Sequence, residues 1–360
     1  MARLVLRSTR ATRRSTLGLV AALSASALFL TACGSDSGDA GADASNVPSG
    51  STPAELTEVT FAMEYLPSVV HNGLAYAIHE GLFADEGIKL KLIPFSGAGS
   101  DTIIGSGKAE VGFIGNVGAG VTDLALGVPL TPVFMGQPSE PQVMAALKDS
   151  GITSPKDFVG KTYGGYGFPQ EDLILKTMVE TDGGDGEVKS VALQVGSTEA
   201  LKAGQVDLAA LWPDHVFEFV NSGVELNTWF GPDYGVPDGG GLVAVANNDF
   251  LSANPDLVKG FVKALQGGYQ MAIDDPSAAN EALYAEFPDL KSNTDLVEFV
   301  ADSFAESSYP NPDGPVGTLS ADQWSEYADY LAENGLLVDK DGKTIDSFDP
   351  TPFVTNDYMP

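Results

Sequence analysis

The 360-residue chain has one cysteine, three histidines and no arginine beyond residue 14. A single thiol excludes an internal disulfide and a thiolate zinc cluster. His71, His79 and His215 show no paired metal-ligand spacing, so no histidine metal motif is present. Positive charge is scarce, with 19 Lys and Arg against 49 Asp and Glu and a formal net charge of −30. Nucleic-acid binding by counterion release needs a basic face that this balance does not supply. Asp339-Lys340-Asp341-Gly342 places its glycine too early for a calcium loop and reads as a hairpin turn. No Ser/His/Asp set or carboxylate pair points to hydrolysis. No glycine-rich turn matches a dinucleotide fingerprint or a phosphate loop; Gly115 to Gly120, the nearest, lacks the spacing and the acidic partner. What remains is a globular composition, 43% hydrophobic and 19% charged.

The arginines sit together. Arg3, Arg7, Arg10, Arg13 and Arg14 precede an apolar run from Leu17 to Leu30 and the small residues Thr31 and Ala32. That run is too short to span a membrane and suits the core of an export signal. Leu30-Thr31-Ala32-Cys33, followed by Gly34 and Ser35, resembles a bacterial lipoprotein signal. The resemblance implies removal of residues 1–32 and acylation of Cys33 at its thiol and new amino group. Two or more acyl chains anchor stably where one is marginal. The mature protein is therefore expected on the extracytoplasmic face of the cell membrane, held by lipid alone. Residues 33–54 are mostly Gly, Ser, Asp and Ala, the composition of a flexible tether. Without the five arginines the formal charge falls to −35.

The body from residue 55 alternates strand and helix signals. Strands are expected at 59–63, 88–92, 110–114 and 130–135, with helices at 71–84, 101–107 and 117–126 between them. The pattern then restarts, with strands at 161–164, 188–195 and 207–212 and helices at 170–181, 198–204 and 216–222. One more strand, 241–247, precedes helices at 256–273, 277–286, 294–303 and 321–334. Two like α/β units, joined near 136–142 and 232–241, predict a two-lobed clamshell. Lobe one takes 55–138 and 238–360, and lobe two 139–237. Each lobe is expected to be a mixed, mostly parallel sheet flanked by helices. Glycine-rich turns recur where strands hand over to helices, at 96–100, 115–118, 164–167 and 196–198. Ligand crevices of open α/β sheets lie at the carboxyl ends of strands, where helix N-termini offer free N–H groups.

Glu64-Tyr65-Leu66-Pro67-Ser68-Val69-Val70-His71-Asn72-Gly73, then Glu80-Gly81-Leu82-Phe83 and Glu86-Gly87, resembles the opening of the thiamine-pyrimidine-precursor binding proteins. These belong to the sulfonate/nitrate/taurine-type binding proteins of ABC importers. Lys176 to Glu180, Gly204-Gln205-Val206-Asp207, Tyr234 to Asp238 and the tail Phe353 to Met359 extend the resemblance over most of the body. It implies a type II periplasmic-binding-protein clamshell without turnover or cofactor. The expected protein is a monomer whose partners are a small heteroaromatic ligand, a permease and an ATPase.

A flat heteroaromatic ligand needs aromatic faces and a carboxylate or amide opposite its ring nitrogens. Tyr65 and Trp212 are the candidates for stacking from opposite lobes. His71, at the head of its helix, is a candidate contact or else a cap or buried neutral ring. Ser96, Asn116 and Gln137 follow lobe-one strands and could read hydrogen-bonding edges. Tyr166, Phe168 and Glu171 share the first strand–helix turn of lobe two; Glu171 equally suits a first-turn carboxylate. Asp214 could face an amino group or cap its helix. Trp229, Trp324 and His79 read as structural.

Three departures from the family bear on the ligand. Tyr65 stands where relatives tend to have Trp, Trp212-Pro213-Asp214-His215 replaces Trp-Asn-x-Glu, and Gly239-Gly240-Gly241 replaces Tyr and acidic residues. The glycines could make room for a larger, riboflavin-like ligand, and the same fold could take sulfonate, taurine or nitrate. Without arginine there is no bidentate fork for sulfonate or carboxylate, which favours a neutral or weakly cationic ring. A branch of the fold makes the thiamine pyrimidine in a single turnover from its own histidine and pyridoxal phosphate. His71 would be that histidine, but the cysteine-rich patch of the branch is missing.

Overall fold

The computed structural model describes residues 56–193 and 196–360. The export signal, the tether and Cys33 lie outside the described residues. Among the described residues, ten strands form two five-stranded sheets. In chain order they are β1 (Thr57–Ala62), β2 (Ile88–Ile93), β3 (Val111–Ile114), β4 (Leu130–Met135), β5 (Val143–Leu147), β6 (Thr162–Gly165), β7 (Lys189–Ala192), β8 (Leu208–Leu211), β9 (Leu226–Trp229) and β10 (Val243–Asn247). The first sheet has the order β2-β1-β3-β10-β4 and the second β7-β6-β8-β5-β9. β1 runs parallel to β2 and β3, and β6 runs parallel to β7 and β8. β10 is antiparallel to both its neighbours, and so is β5.

Four strands of each sheet therefore run one way and one runs against them. The reversed strand is in both cases the one that has just crossed from the other sheet. β4 and β9 leave at their carboxyl ends, so β5 and β10 must enter from that same end. β5 and β9 have no counterpart in the sequence expectation. Val143 to Leu147 is an unbroken apolar run, because β5 is covered on both faces: Met144 and Ala146 enter one core and Ala145 the other.

The helices are α1 (Asn72–His79), α2 (Leu82–Asp85), α3 (Ser100–Gly105), α4 (Val117–Ala125), α5 (Pro169–Thr181), α6 (Ser197–Lys202), α7 (Pro213–Asn221), α8 (Asn248–Ala253), α9 (Pro255–Asp274), α10 (Pro276–Glu286), α11 (Thr294–Ser307) and α12 (Ala321–Glu333). The expected helix 71–84 is two helices, broken at Gly81, whose φ of +75° no continuing helix allows.

Strand alternation divides the first sheet between two cores. Phe61, Phe113 and Phe134 pack under α1 and α9 with Leu74, Phe261 and Tyr269, while Ile114 and Val245 face Val121, Trp324 and Leu331 of α4 and α12. α1 and α9 approach so closely that a Cβ on Gly268 would collide with the Gly73 carbonyl. In the second sheet Phe158, Met178 and Trp229 lie on one face and Leu201, Val216 and Phe219 on the other. Trp229 and Trp324 are buried packing residues.

Phe113 meets Phe61 edge-on at 5.0 Å inside the larger core. Phe113→Ala is expected to lower unfolding free energy by about 3–5 kcal/mol in urea melts. Tyr65→Ala, at a 59% exposed ring, is expected to stay within about 0.5 kcal/mol.

Candidate ligand cleft

Two chain segments join the sheets, and one carboxylate ties them. Asp238 Oδ1 accepts from the Glu140 and Gly240 amides at 2.7 and 3.0 Å, and its Oδ2 accepts from Ser139 Oγ at 2.9 Å. Gln323 of α12 adds a clasp, its Nε2 donating to the carbonyls of Pro138 at 2.8 Å and Asp238 at 2.9 Å. The Val117 amide, at the head of α4, donates to the Gly239 carbonyl at 2.9 Å.

The three glycines serve this knot. A Cβ on Gly239 would stand 2.8 Å from the Tyr327 ring, and one on Gly241 3.0 Å from Gln137 Cδ. Gly240 has φ +58° and the Met135 side chain above it. The room expected at 239–241 for a larger ligand is filled by protein. Gln137 itself is fully buried, and neither its Oε1 nor its Nε2 has a hydrogen-bond partner.

The strand ends nearest these segments carry exposed aromatic rings. Tyr65, three residues past β1, is 59% exposed and braced by Phe95 at 5.2 Å between ring centroids. Tyr166 and Phe168, in the β6–α5 turn, are 40% and 62% exposed, with centroids 6.2 Å apart and planes 29° from parallel. The Tyr166 hydroxyl is pushed above its ordinary value first by burial, then by Tyr65, Asp214 and Glu171. A residue of the first sheet and three of the second thus share one electrostatic neighbourhood. A depression of about 180 Å³ adjoins it, lined by Tyr163, Phe168, Glu171, Asp172 and Ser190 among others.

Glu171 builds the turn it sits in. Its Oε1 accepts from Tyr163 Oη at 2.9 Å and the Tyr166 amide at 3.0 Å; its Oε2 accepts from the Gly167 and Phe168 amides at 2.7 and 3.0 Å. These bonds favour its reading as a first-turn carboxylate that presents Tyr166 and Phe168. Asp214 is half exposed in the first turn of α7, with the His215 ring 3.9 Å from its carboxylate. The helix cap is Trp212, half-buried, whose amide donates to His215 Nδ1 at 3.4 Å. Asn116 caps α4, its Oδ1 accepting from the Ala119 amide at 2.8 Å. Ser96 is exposed in the β2–α3 loop.

His71 is not presented to the cleft. Its ring is 0% exposed, Nδ1 accepts from the Ser68 amide at 3.1 Å, and Nε2 lies 3.0 and 3.2 Å from the two Glu64 oxygens. The accepting role of Nδ1 fixes the proton on Nε2, which donates to Glu64. Glu64 is the residue that sequence reasoning passed over. Burial pushes its carboxyl up, but His71 and N–H bonds from the backbone hold it below the ordinary glutamate value. It is an ionised carboxylate at the carboxyl end of β1, beside Tyr65. Its position immediately after an alternating strand was the available signal.

Among the described residues no group of three or more His, Cys, Asp or Glu is placed to hold a metal, and no helix is long and apolar enough to cross a membrane.

Two mixed sheets of matching topology, joined by paired crossovers at their carboxyl ends, define the class: an α/β protein of the periplasmic-binding-protein fold. The family described as NMT1/THI5 like matches residues 68–279, more than half of the chain, and the chain belongs to that family. It is similar to the formylaminopyrimidine-binding protein of Halalkalibacterium halodurans, at 26% identity over 291 residues, 78% of this chain and 87% of that one. It is also similar to the 4-amino-5-hydroxymethyl-2-methylpyrimidine phosphate synthase of Aspergillus parasiticus, at 27% identity over 326 residues, 84% and 87% of the two chains. Among solved structures, the periplasmic aliphatic sulphonate binding protein of Escherichia coli superposes with a TM-score of 0.62 at 16% identity. That match covers 80% of this chain and 90% of the other and concerns the fold alone.

Two tests address the crossover knot. Burial, and then the charge of Asp238, push Glu140 from near 4.5 up to about 8, against the opposing bond from the Gln142 amide. Between those values the folded chain holds a proton that the unfolded chain has lost, so Glu140 makes stability fall as pH rises. Glu140→Gln is expected to flatten that fall and to stabilise the protein by about 1 kcal/mol near pH 8 in urea titrations. Gln323→Ala, which strips the Pro138 and Asp238 carbonyls of their donor, is expected to cost about 1–3 kcal/mol in the same measurement.

Proposed function

We propose that the chain is the extracytoplasmic substrate-binding component of an ABC importer, and that it captures a small heteroaromatic molecule of the thiamine-pyrimidine-precursor class. The observation that carries this reading is the set of exposed rings, Tyr65 from the first sheet and Tyr166 and Phe168 from the second, held beside Asp214. Flat ring systems are bound by such faces, with polar groups fixing their edges. The likeness to a formylaminopyrimidine-binding protein supports the same ligand class.

In this reading lobe one is 55–138 with 238–360 and lobe two is 139–237, and they close about the crossover knot. Tyr65 and Trp212 stack on the ligand, and Gln137, Ser96 and Asp214 read its edge. Cys33 carries the lipid anchor, and a permease and an ATPase receive the monomeric receptor.

A second reading, favoured by the likeness to pyrimidine phosphate synthases, is the single-turnover enzyme consuming His71 with pyridoxal phosphate. The buried His71 ring, with both nitrogens engaged, speaks against it. The fit of pyridoxal phosphate here is poor for that reason, and no step is assigned to it.

Thermal shift against formylaminopyrimidine, hydroxymethylpyrimidine, thiamine, riboflavin, taurine and nitrate tests the proposal. A pyrimidine at a hundredfold excess over Kd is expected to add about 2.7 kcal/mol of stability. A shift with taurine and none with any heteroaromatic would sink it. Loss of His71 by mass spectrometry after incubation with pyridoxal phosphate would establish the synthase instead. Tyr65→Ala is expected to weaken pyrimidine binding by about tenfold, read by calorimetry.

A further inference from the structure

Away from the crossover knot, an aromatic contact joins the helices of one sheet to those of the other. Phe299 of α11 lies 5.4 Å from Phe217 of α7 between ring centroids, with the planes tilted by 54°. Phe299 packs against a core of each sheet. In the first it meets the core that holds Val300 and Phe304, and in the second the core that holds Val216 and Phe219.

Both helices lead to the cleft. α11 packs on α9, α10 and the 69–71 turn that follows Tyr65. α7 is capped by Trp212 and carries Asp214 in its first turn. Asp214 and Phe217 are three residues apart, neighbours on the surface of one helix. Seating Phe217 on Phe299 therefore fixes the start of α7 against the helix that packs on the 69–71 turn.

The contact is apolar, so its worth depends on area removed from water. Each sheet keeps the rest of its core when the lobes part, but Phe217 and Phe299 then lose each other to solvent. Their pairing thus belongs to the equilibrium between open and closed forms more than to the folding of either lobe. A ligand that binds the closed form has an apparent affinity scaled by the fraction of protein already closed.

We infer that Phe299 is an interlobe latch, a positioning residue that raises the closed fraction and so sets ligand affinity through closure instead of through contact with the ligand. This rests on the two-lobe closure proposed above and adds the residue that biases it.

Calorimetric titration and small-angle X-ray scattering of the full-length protein test the latch. Phe299→Ala is expected to weaken binding of 4-amino-5-hydroxymethyl-2-methylpyrimidine about tenfold. Its ligand-free scattering is expected to shift to a larger radius of gyration, and saturating pyrimidine to restore the wild-type bound profile. Phe217→Ala, at a half-buried ring, is expected to do the same, with the double variant no weaker than either single one. Phe299→Leu, which keeps an apolar side chain at the contact, is expected to recover most of the affinity. Phe83→Ala, a truncation of equal size buried against Phe261 within the first sheet's core, is expected to lower stability and leave affinity and scattering unchanged. Wild-type affinity in Phe299→Ala, or an equal loss in Phe83→Ala, overturns the latch and leaves the pyrimidine-receptor reading standing. If the wild type binds no pyrimidine, that reading falls and scattering alone decides: expansion of Phe299→Ala upholds the latch, and an unchanged profile overturns it. Should Phe299→Ala fail to fold, Phe217→Ala carries the same test.

Discussion

The Asp238 carboxylate holds together two stretches of chain that are a hundred residues apart in sequence and form the covalent links between the sheets. Its three hydrogen bonds to Ser139, Glu140 and Gly240 fix how one crossover lies on the other, and Gln323 locks both to α12. The orientation of every cleft residue in one sheet relative to the other passes through this knot. Its composition follows from that duty. Gly239, Gly240 and Gly241 leave the space that Tyr327, Met135 and Gln137 occupy, and Glu140 keeps its proton because burial, and then the charge of Asp238, disfavour its ionised form.

Contacts beyond the knot steady the same arrangement. On one side Tyr330 of α12 shares a hydrogen bond with Thr177 of α5 at 2.9 Å. On the other, Phe299 of α11 packs against Phe217 of α7 at 5.4 Å and against the core of the second sheet. These are small contacts, a hydrogen bond and an aromatic pair, each of the size that a domain closure can make or break. The large apolar cores stay within the sheets.

The cleft divides its polar residues into two kinds. Glu171, Asn116 and His71 spend their hydrogen bonds on the chain itself: they shape turns, cap helices and aim another residue. Asp214 and Gln137 keep capacity to spare, while Glu64 spends its oxygens on His71 and on backbone N–H groups. All six sit near strand ends, and residue type alone does not separate them. Position after a strand picked out Tyr65, Tyr166 and Phe168 as candidate ligand contacts, and all three rings are exposed. For His71 it left a ligand contact and a cap or buried neutral ring both open, and the ring is buried and paired with Glu64, with the Ser68 amide reaching Nδ1 across a 3₁₀ turn.

Periodicity and punctuation in the chain were enough to determine much. Alternating Val, Ile and Phe with helical repeats between them specify α/β units, their recurrence specifies two, and the scarcity of arginine limits anion recognition. These are local or additive properties, carried by neighbours in sequence. β5 escaped because a strand buried on both faces loses its period of two, β9 because it is a short edge strand, and the reversal of β5 and β10 follows from where the crossovers enter. The filling of the 239–241 gap and the placing of Tyr65 in the electrostatic neighbourhood of Tyr166 were decided by tertiary structure alone. Each depends on residues far apart in the chain being brought together, and no pattern within a single segment encodes that.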